Sequence, residues 1–179
     1  MNSNSNYPPG VFFDIETLIN VAQPNKILLL GDISGDFLDD YIAQKSLLNQ
    51  NISIQHISTG NINSLFDLDE RFDVGVIINL FEHLEKTQAA NILSRLRDVL
   101  SPQYCLCLPL SSSLDDEKFD HSWELNELFS FALKKVAIYE HNDKKFGLFK
   151  YNISDYKTTP DWLNADNWAN PEMWGKYWW

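Results

Sequence analysis

Positive charge is scarce in this 179-residue sequence: 14 Lys and Arg stand against 25 Asp and Glu, giving a net charge of -11 and a pI near 4.6. Phosphate backbones and anionic headgroups are held largely by Lys and Arg, so neither nucleic acid nor membrane is expected as a partner. Cysteine is nearly absent. Cys105 and Cys107 stand one residue apart in an apolar run, where strand alternation points both to one face as buried thiols. His56, His83, His121 and His141 are scattered without zinc-type spacing, so no metal site is expected. Long apolar runs are also missing, since 27–30 and 74–78 fall far below the roughly twenty residues that span a bilayer. Residues 1–10, rich in Asn, Ser and Pro, lack the basic start and apolar core of a signal peptide and read as a disordered arm. The cytoplasm is the expected address. The sequence also lacks a Walker phosphate loop and a Gly-x-Ser-x-Gly elbow.

What is present is an alternation of apolar runs and amphipathic stretches. Phe12, Ile15, Leu18, Ile19 and Ala22 recur at helical spacing until Pro24, predicting a leader helix. Residues 27–30 and 74–78 are continuous β-branched and aliphatic runs, as in parallel strands covered on both faces. Residues 52–57 and 104–110 add two more strands. A helix from the 31–35 turn to about Leu48 presents Phe37, Tyr41 and Leu48 inward and Asp39, Asp40 and Lys45 outward. Residues 60–71 are turn-rich, with room for a short helix near 64–68. Ala89, Ile92, Leu93, Leu96 and Leu100 define an amphipathic helix over 86–100, and a further helix is predicted over 122–133. Residues 136–140 and 146–153 flank the polar stretch 141–145, predicting an antiparallel hairpin. Strands alternating with helices imply a parallel α/β sheet with right-handed crossovers, which the closing hairpin makes mixed.

The last segment differs in composition. It carries Trp162, Trp168, Trp174, Trp178 and Trp179, five of the six tryptophans. Asn170-Pro171-Glu172 predicts a short terminal helix. Such aromatic density fits an intramolecular clasp, an oligomer arm or a docking site for another protein. The expected division is 1–25 as arm and leader helix, 26–153 as the α/β domain and 154–179 as the Trp-rich tail.

Two motifs carry a family likeness: KILLLGDISG at 26–35 and FDVGVIINLFEHL at 72–84. With the element order over 26–153, they resemble the class I S-adenosylmethionine-dependent methyltransferases. The resemblance implies a Rossmann-like three-layer sandwich, mostly parallel, closed by a C-terminal antiparallel hairpin. It implies S-adenosylmethionine as the cofactor, with Gly31, Asp32, Ser34, Gly35, His56 and Asn79 as the positions that would contact it. Glu82 and His83, just beyond the 74–78 strand, are the catalytic candidates, His83 because its ordinary pKa suits a general base. For these residues a local reading stands beside the catalytic one, with Asn79, Glu82 and His83 closing a hydrogen-bonded turn.

The sequence departs from the family pattern in three places. Ile33 stands at the middle glycine of the turn, where a β-branched residue restricts the backbone and blocks close approach of a ligand. His56 stands near the end of the second strand, where the family places an acidic group for the ribose hydroxyls. Between that strand and Asp73 the chain is too short for another strand-helix unit, so one edge unit is expected to be missing. Asp32, Ser34 or Asp36 could equally cap the following helix. The expectation is a methyltransferase-like protein with a degenerate cofactor site and a role in binding; the alternative is an active methyltransferase acting on a small molecule or protein side chain.

Overall fold

The computed structural model describes residues 6–110, 123–155, 171–173 and 176. Six strands form one sheet: β1 (Lys26–Leu30), β2 (Ser53–Ile57), β3 (Val74–Ile78), β4 (Gln103–Leu110), β5 (Lys134–His141) and β6 (Lys144–Asn152). Their order is β2-β1-β3-β4-β6-β5, with the first four parallel and β6 antiparallel to both β4 and β5. All five residues of β3 are buried, because apolar layers cover both faces and leave no polar side to alternate with.

The layers follow from those two faces. One is covered by α1 (Pro9–Ala22) and α2 (Asp39–Leu47), whose Val11, Ile15, Ile19 and Tyr41 pack with Ile27, Leu29, Val76, Ile78, Cys105 and Cys107. Both thiols are buried and free on this face, as strand alternation requires. The other face is covered by α3 (Lys86–Arg95), its continuation through a π turn at Leu96–Leu100, and α4 (Leu125–Ser130). The missing edge unit is replaced by 3-10 turns over Thr59–Asp67, which bury Ile62 and Leu65 on that face. β2 therefore remains at the sheet edge.

Several expectations need correction. The leader helix begins at Pro9, inside the segment read as a disordered arm, and Tyr7 ahead of it is 3% exposed. Proline suits a first helical turn, where its missing N-H has no partner to lose. The helix after β1 opens as a 3-10 turn, Gly35–Leu38, and ends at Leu47, so Leu48 lies beyond it and is exposed. Lys45, expected outside, is 6% exposed: its ammonium bonds Gln50 Oε1 at 2.9 Å and lies 5.6 Å from the Tyr41 ring centre. The helix predicted over 122–133 is shorter, because Glu124 and Glu127 close a capping box that starts it at Leu125, and it ends at Ser130. The hairpin turns on Asn142 and Asp143 alone, both with positive φ as a tight two-residue turn demands, so its strands reach further than expected. At the end of the chain Pro171–Met173 forms one 3-10 turn. His121, Trp162, Trp168, Trp174, Trp178 and Trp179 lie outside the described residues.

Candidate functional site at the strand carboxyl ends

The chain leaves β1 toward β2 on one side and returns to β3 on the other, so strand order reverses between β1 and β3. Open α/β sheets bind ligands outside the carboxyl ends of strands at such a point. Gly31, Asn79 and Thr59, which follow β1, β3 and β2, meet there.

Gly31 has φ +112, and a Cβ on it would run into the Ile78 carbonyl oxygen, so glycine is required by the neighbouring strand itself. Its carbonyl accepts from His56 Nε2 at 2.8 Å and from the Ile33 N-H at 3.1 Å. A carbonyl can only accept, which places the hydrogen of His56 on Nε2. Asp32 Oδ1 accepts from the Thr59 N-H at 3.0 Å. The helix cap expected among Asp32, Ser34 and Asp36 is Ser34, whose Oγ accepts from the Asp36 N-H at 3.4 Å. At Gly35 a Cβ would sit 3.8 Å from the Leu29 side chain, an ordinary contact, so packing does not require glycine there. Ile33 is 5% exposed and belongs to the cluster of Tyr7, Val11, Ile15 and Leu38. Positive φ among the described non-glycine residues is confined to Gln23, Asn49, Asn79, Ala132, Asn142 and Asp143, so the turn holds isoleucine without left-handed strain.

Asn79 is the hub, and its φ of +53 is a conformation that asparagine tolerates better than most residues. Its Nδ2 donates to the Asp32 carbonyl at 2.7 Å, and its Oδ1 meets His83 Nε2 at 3.1 Å. Its carbonyl accepts from the Asp32 N-H at 3.2 Å and from Thr59 Oγ1 at 3.4 Å. Its N-H donates to the Tyr7 hydroxyl at 3.1 Å. That hydroxyl donates in turn to Glu82 Oε1, and the ring packs on Phe146 with centres 5.0 Å apart. Burial, with the Glu82 charge beside it, pushes the Tyr7 phenol far above its ordinary pKa, so it stays protonated as the donor. Glu82 Oε2 is buried without a hydrogen-bond partner.

The structure thus brings Gly31, Asp32, His56, Asn79, Glu82 and His83 together, with Ser34 and Gly35 at the start of the adjoining 3-10 turn. Sequence reasoning missed Tyr7 and Thr59. Tyr7 is the one aromatic residue among the first ten, but its partners lie 72 and 75 residues away and no local pattern announces them. A separate cavity of about 100 Å³ lies at the opposite, amino end of the sheet, between Leu18, Ala22, Val74 and Lys150. That is well below the roughly 300 Å³ at which ordinary ligand pockets begin.

The strand order, the antiparallel closing pair and the turn after β1 define the class I S-adenosylmethionine-dependent methyltransferase fold. The chain belongs to the family of unknown function DUF6231, which matches residues 12–179. Among solved structures, TehB from Haemophilus influenzae aligns at 15% identity and TM-score 0.51 over 83% of this chain, which spans 63% of TehB. Magnesium protoporphyrin IX methyltransferase (ChlM) from Synechocystis PCC 6803 with bound SAH aligns at 8% identity and TM-score 0.51, over 79% of this chain and 81% of that one. No curated protein matches the sequence. No helix among the described residues is long and apolar enough to cross a membrane, and none of them form a cluster that could hold a metal ion.

Proposed function

We propose that this protein is a methyltransferase-fold binding protein of the cytoplasm whose cofactor crevice is filled by its own chain, and that it acts without transferring methyl groups. The observation that carries the reading is Ile33, buried with Tyr7 and Val11 at the place where the resemblance puts the middle glycine of the cofactor turn. A ligand lying along that turn needs the backbone uncovered, and a buried β-branched side chain covers it. His56 supports the same reading. Where the resemblance calls for an acceptor of ribose hydroxyls, its Nε2 is already donating to the Gly31 carbonyl. In this arrangement Gly31, Asp32, Ser34, Gly35, His56 and Asn79 do not fit S-adenosylmethionine, because their polar groups are largely taken up by one another or by Thr59 and Asp36. Isothermal titration with S-adenosylmethionine and S-adenosylhomocysteine tests it: no heat of binding is expected, and micromolar affinity for either would refute it.

A second reading, an active methyltransferase on a small molecule or protein side chain, draws on Glu82, whose carboxylate accepts from a hydroxyl at the end of β3 as a base toward a nucleophile would. His83, turned to Asn79 Oδ1, would then orient that residue. Interaction with a second copy or a protein partner is assigned in either reading to Trp162, Trp168, Trp174, Trp178 and Trp179.

A further inference from the structure

Single exposed apolar side chains are normal on a protein surface, but a run of neighbouring ones asks for a cover. Such a run lies beside the closing hairpin. On α4, Leu128 is the buried anchor, while Leu125 and Phe129, four residues apart and so on one side of the helix, are 39% and 46% exposed. Phe129 meets Phe149 of β6 edge-on, with ring centres 6.4 Å apart. The Phe149 ring leans over Gly147, where a Cβ would collide with it, and opposite Gly147 stands Ile138 of β5, 41% exposed. Leu125, Phe129, Phe149 and Ile138 thus form an apolar strip from the helix to the sheet edge. Lys135, opposite Phe149, and Lys145, opposite Glu140, share that face by register. The edge itself is blunted, because β5 begins with two lysines and shifts register between Lys135 and Ala137, both of which discourage a further strand. What stays open is the face.

The path of the chain after β6 points to what covers it. Asp155 returns to the start of β5, where its carboxylate lies 3.2 Å from Lys134 Nζ, so the C-terminal tail sets out beside Lys135 and the strip. Its composition is complementary. Between Lys157 and Lys176 the tail carries Asp161, Asp166 and Glu172 with Trp162, Trp168 and Trp174 and no basic residue, whereas 134–150 holds five lysines against Glu140 and Asp143. Trp162 stands seven residues past Asp155, a span of up to ~23 Å when extended, and Ile138 lies roughly 13 Å along β5 from Lys134. The strip is therefore within reach of its own tail. We propose that the tail docks on this face of the same chain, with Trp162 and Trp168 against Phe129 and Ile138 and its carboxylates toward Lys135 and Lys145. A second copy or a partner that takes these tryptophans must then displace them from the strip. The docking stands apart from the reading of the crevice, which falls on cofactor titration.

The test is carbodiimide coupling of the native full chain, mixed equally from isotope-labelled and unlabelled preparations, digested and read by mass spectrometry. Coupling joins a lysine to a carboxylate that it touches, so Lys134 to Asp155 is the internal standard. Cross-links from Lys135 or Lys145 to Asp161, Asp166 or Glu172 within one isotope are expected. Their absence beside an intact standard overturns the proposal, and cross-links that join the two isotopes overturn it in favour of a second copy. The variant with Phe129→Ser and Ile138→Ser keeps every charge and should lower the tail cross-links about tenfold against the standard, the effect of two lost apolar contacts. An unchanged yield there means that charge alone gathers the tail, which overturns the docking. Val21→Ser, at a more exposed apolar position on α1, should leave the yield unchanged, and a fall there overturns the assignment to this face. Should the double variant be unfolded, Ile138→Ser alone, at an exposed edge position, decides by the same criterion.

Discussion

Replacing Ile33 with glycine would restore the family's turn and is the most direct way to ask whether this side chain is core or merely lines an open crevice. Ile33 is 5% exposed and packs with Tyr7, Val11, Ile15 and Leu38, so nearly its whole side chain leaves water on folding. Truncating a buried isoleucine to alanine costs about 2–5 kcal/mol through lost transfer energy and the cavity left behind. Glycine adds about 0.5–1 kcal/mol for backbone freedom in the unfolded chain. The φ of Ile33 is outside the left-handed region, so no relief of strain offsets these terms. The expected loss is about 2.5–6 kcal/mol, a large part of the roughly 5–15 kcal/mol that holds a domain of this kind together. Urea unfolding followed by circular dichroism reads it as a lower midpoint at unchanged slope. A loss below about 1 kcal/mol would refute the reasoning, since it would mean that Ile33 projects into open space.

Burial pushes the Cys105 thiol up to about 12 and raises that of Cys107 well above its ordinary value of 9.0. Between roughly pH 9 and 12 the folded chain therefore holds protons that the unfolded chain has released, so stability falls as pH rises, by up to about 1.4 kcal/mol per pH unit for each thiol. Urea midpoints at pH 7, 9 and 10 check this, and equal stability at all three would contradict it. Truncation after Ile153 removes all five tail tryptophans together with the 3.2 Å ion pair between Lys134 and Asp155. The expected result is a change of oligomeric mass or solubility; an unchanged mass by light scattering at equal stability would remove the tail from any role in assembly.

The legible parts of this fold are those whose physics is local. β1 and β3 are read from continuous apolar runs because both faces of a central strand are covered, and the loss of one edge unit is read from the short distance between Ile57 and Asp73. The left-handed turn at Asn142 and Asp143 carries a local signal as well, though charged flanks obscured how far β5 and β6 extend. Lys45 was misplaced because periodicity registers only its charge, whereas its aliphatic stem and the Tyr41 ring decide its burial.

Tyr7 was illegible for a different reason, which bears on the site as a whole. Its neighbours in sequence are polar or proline, and the groups that bury it arrive only when β3 and the turn after it are formed. Ile33, in contrast, is conspicuous in the sequence but does not reveal what it packs against. The structure places the two in one cluster. Phe146 lies against the Tyr7 ring while Asn79 and Glu82 take its hydroxyl, and Ile33 is buried in the same apolar cluster. Changes at these two positions are expected to be non-additive in urea unfolding, because both side chains are buried in one apolar cluster; stability losses that simply add would show that the two are independent.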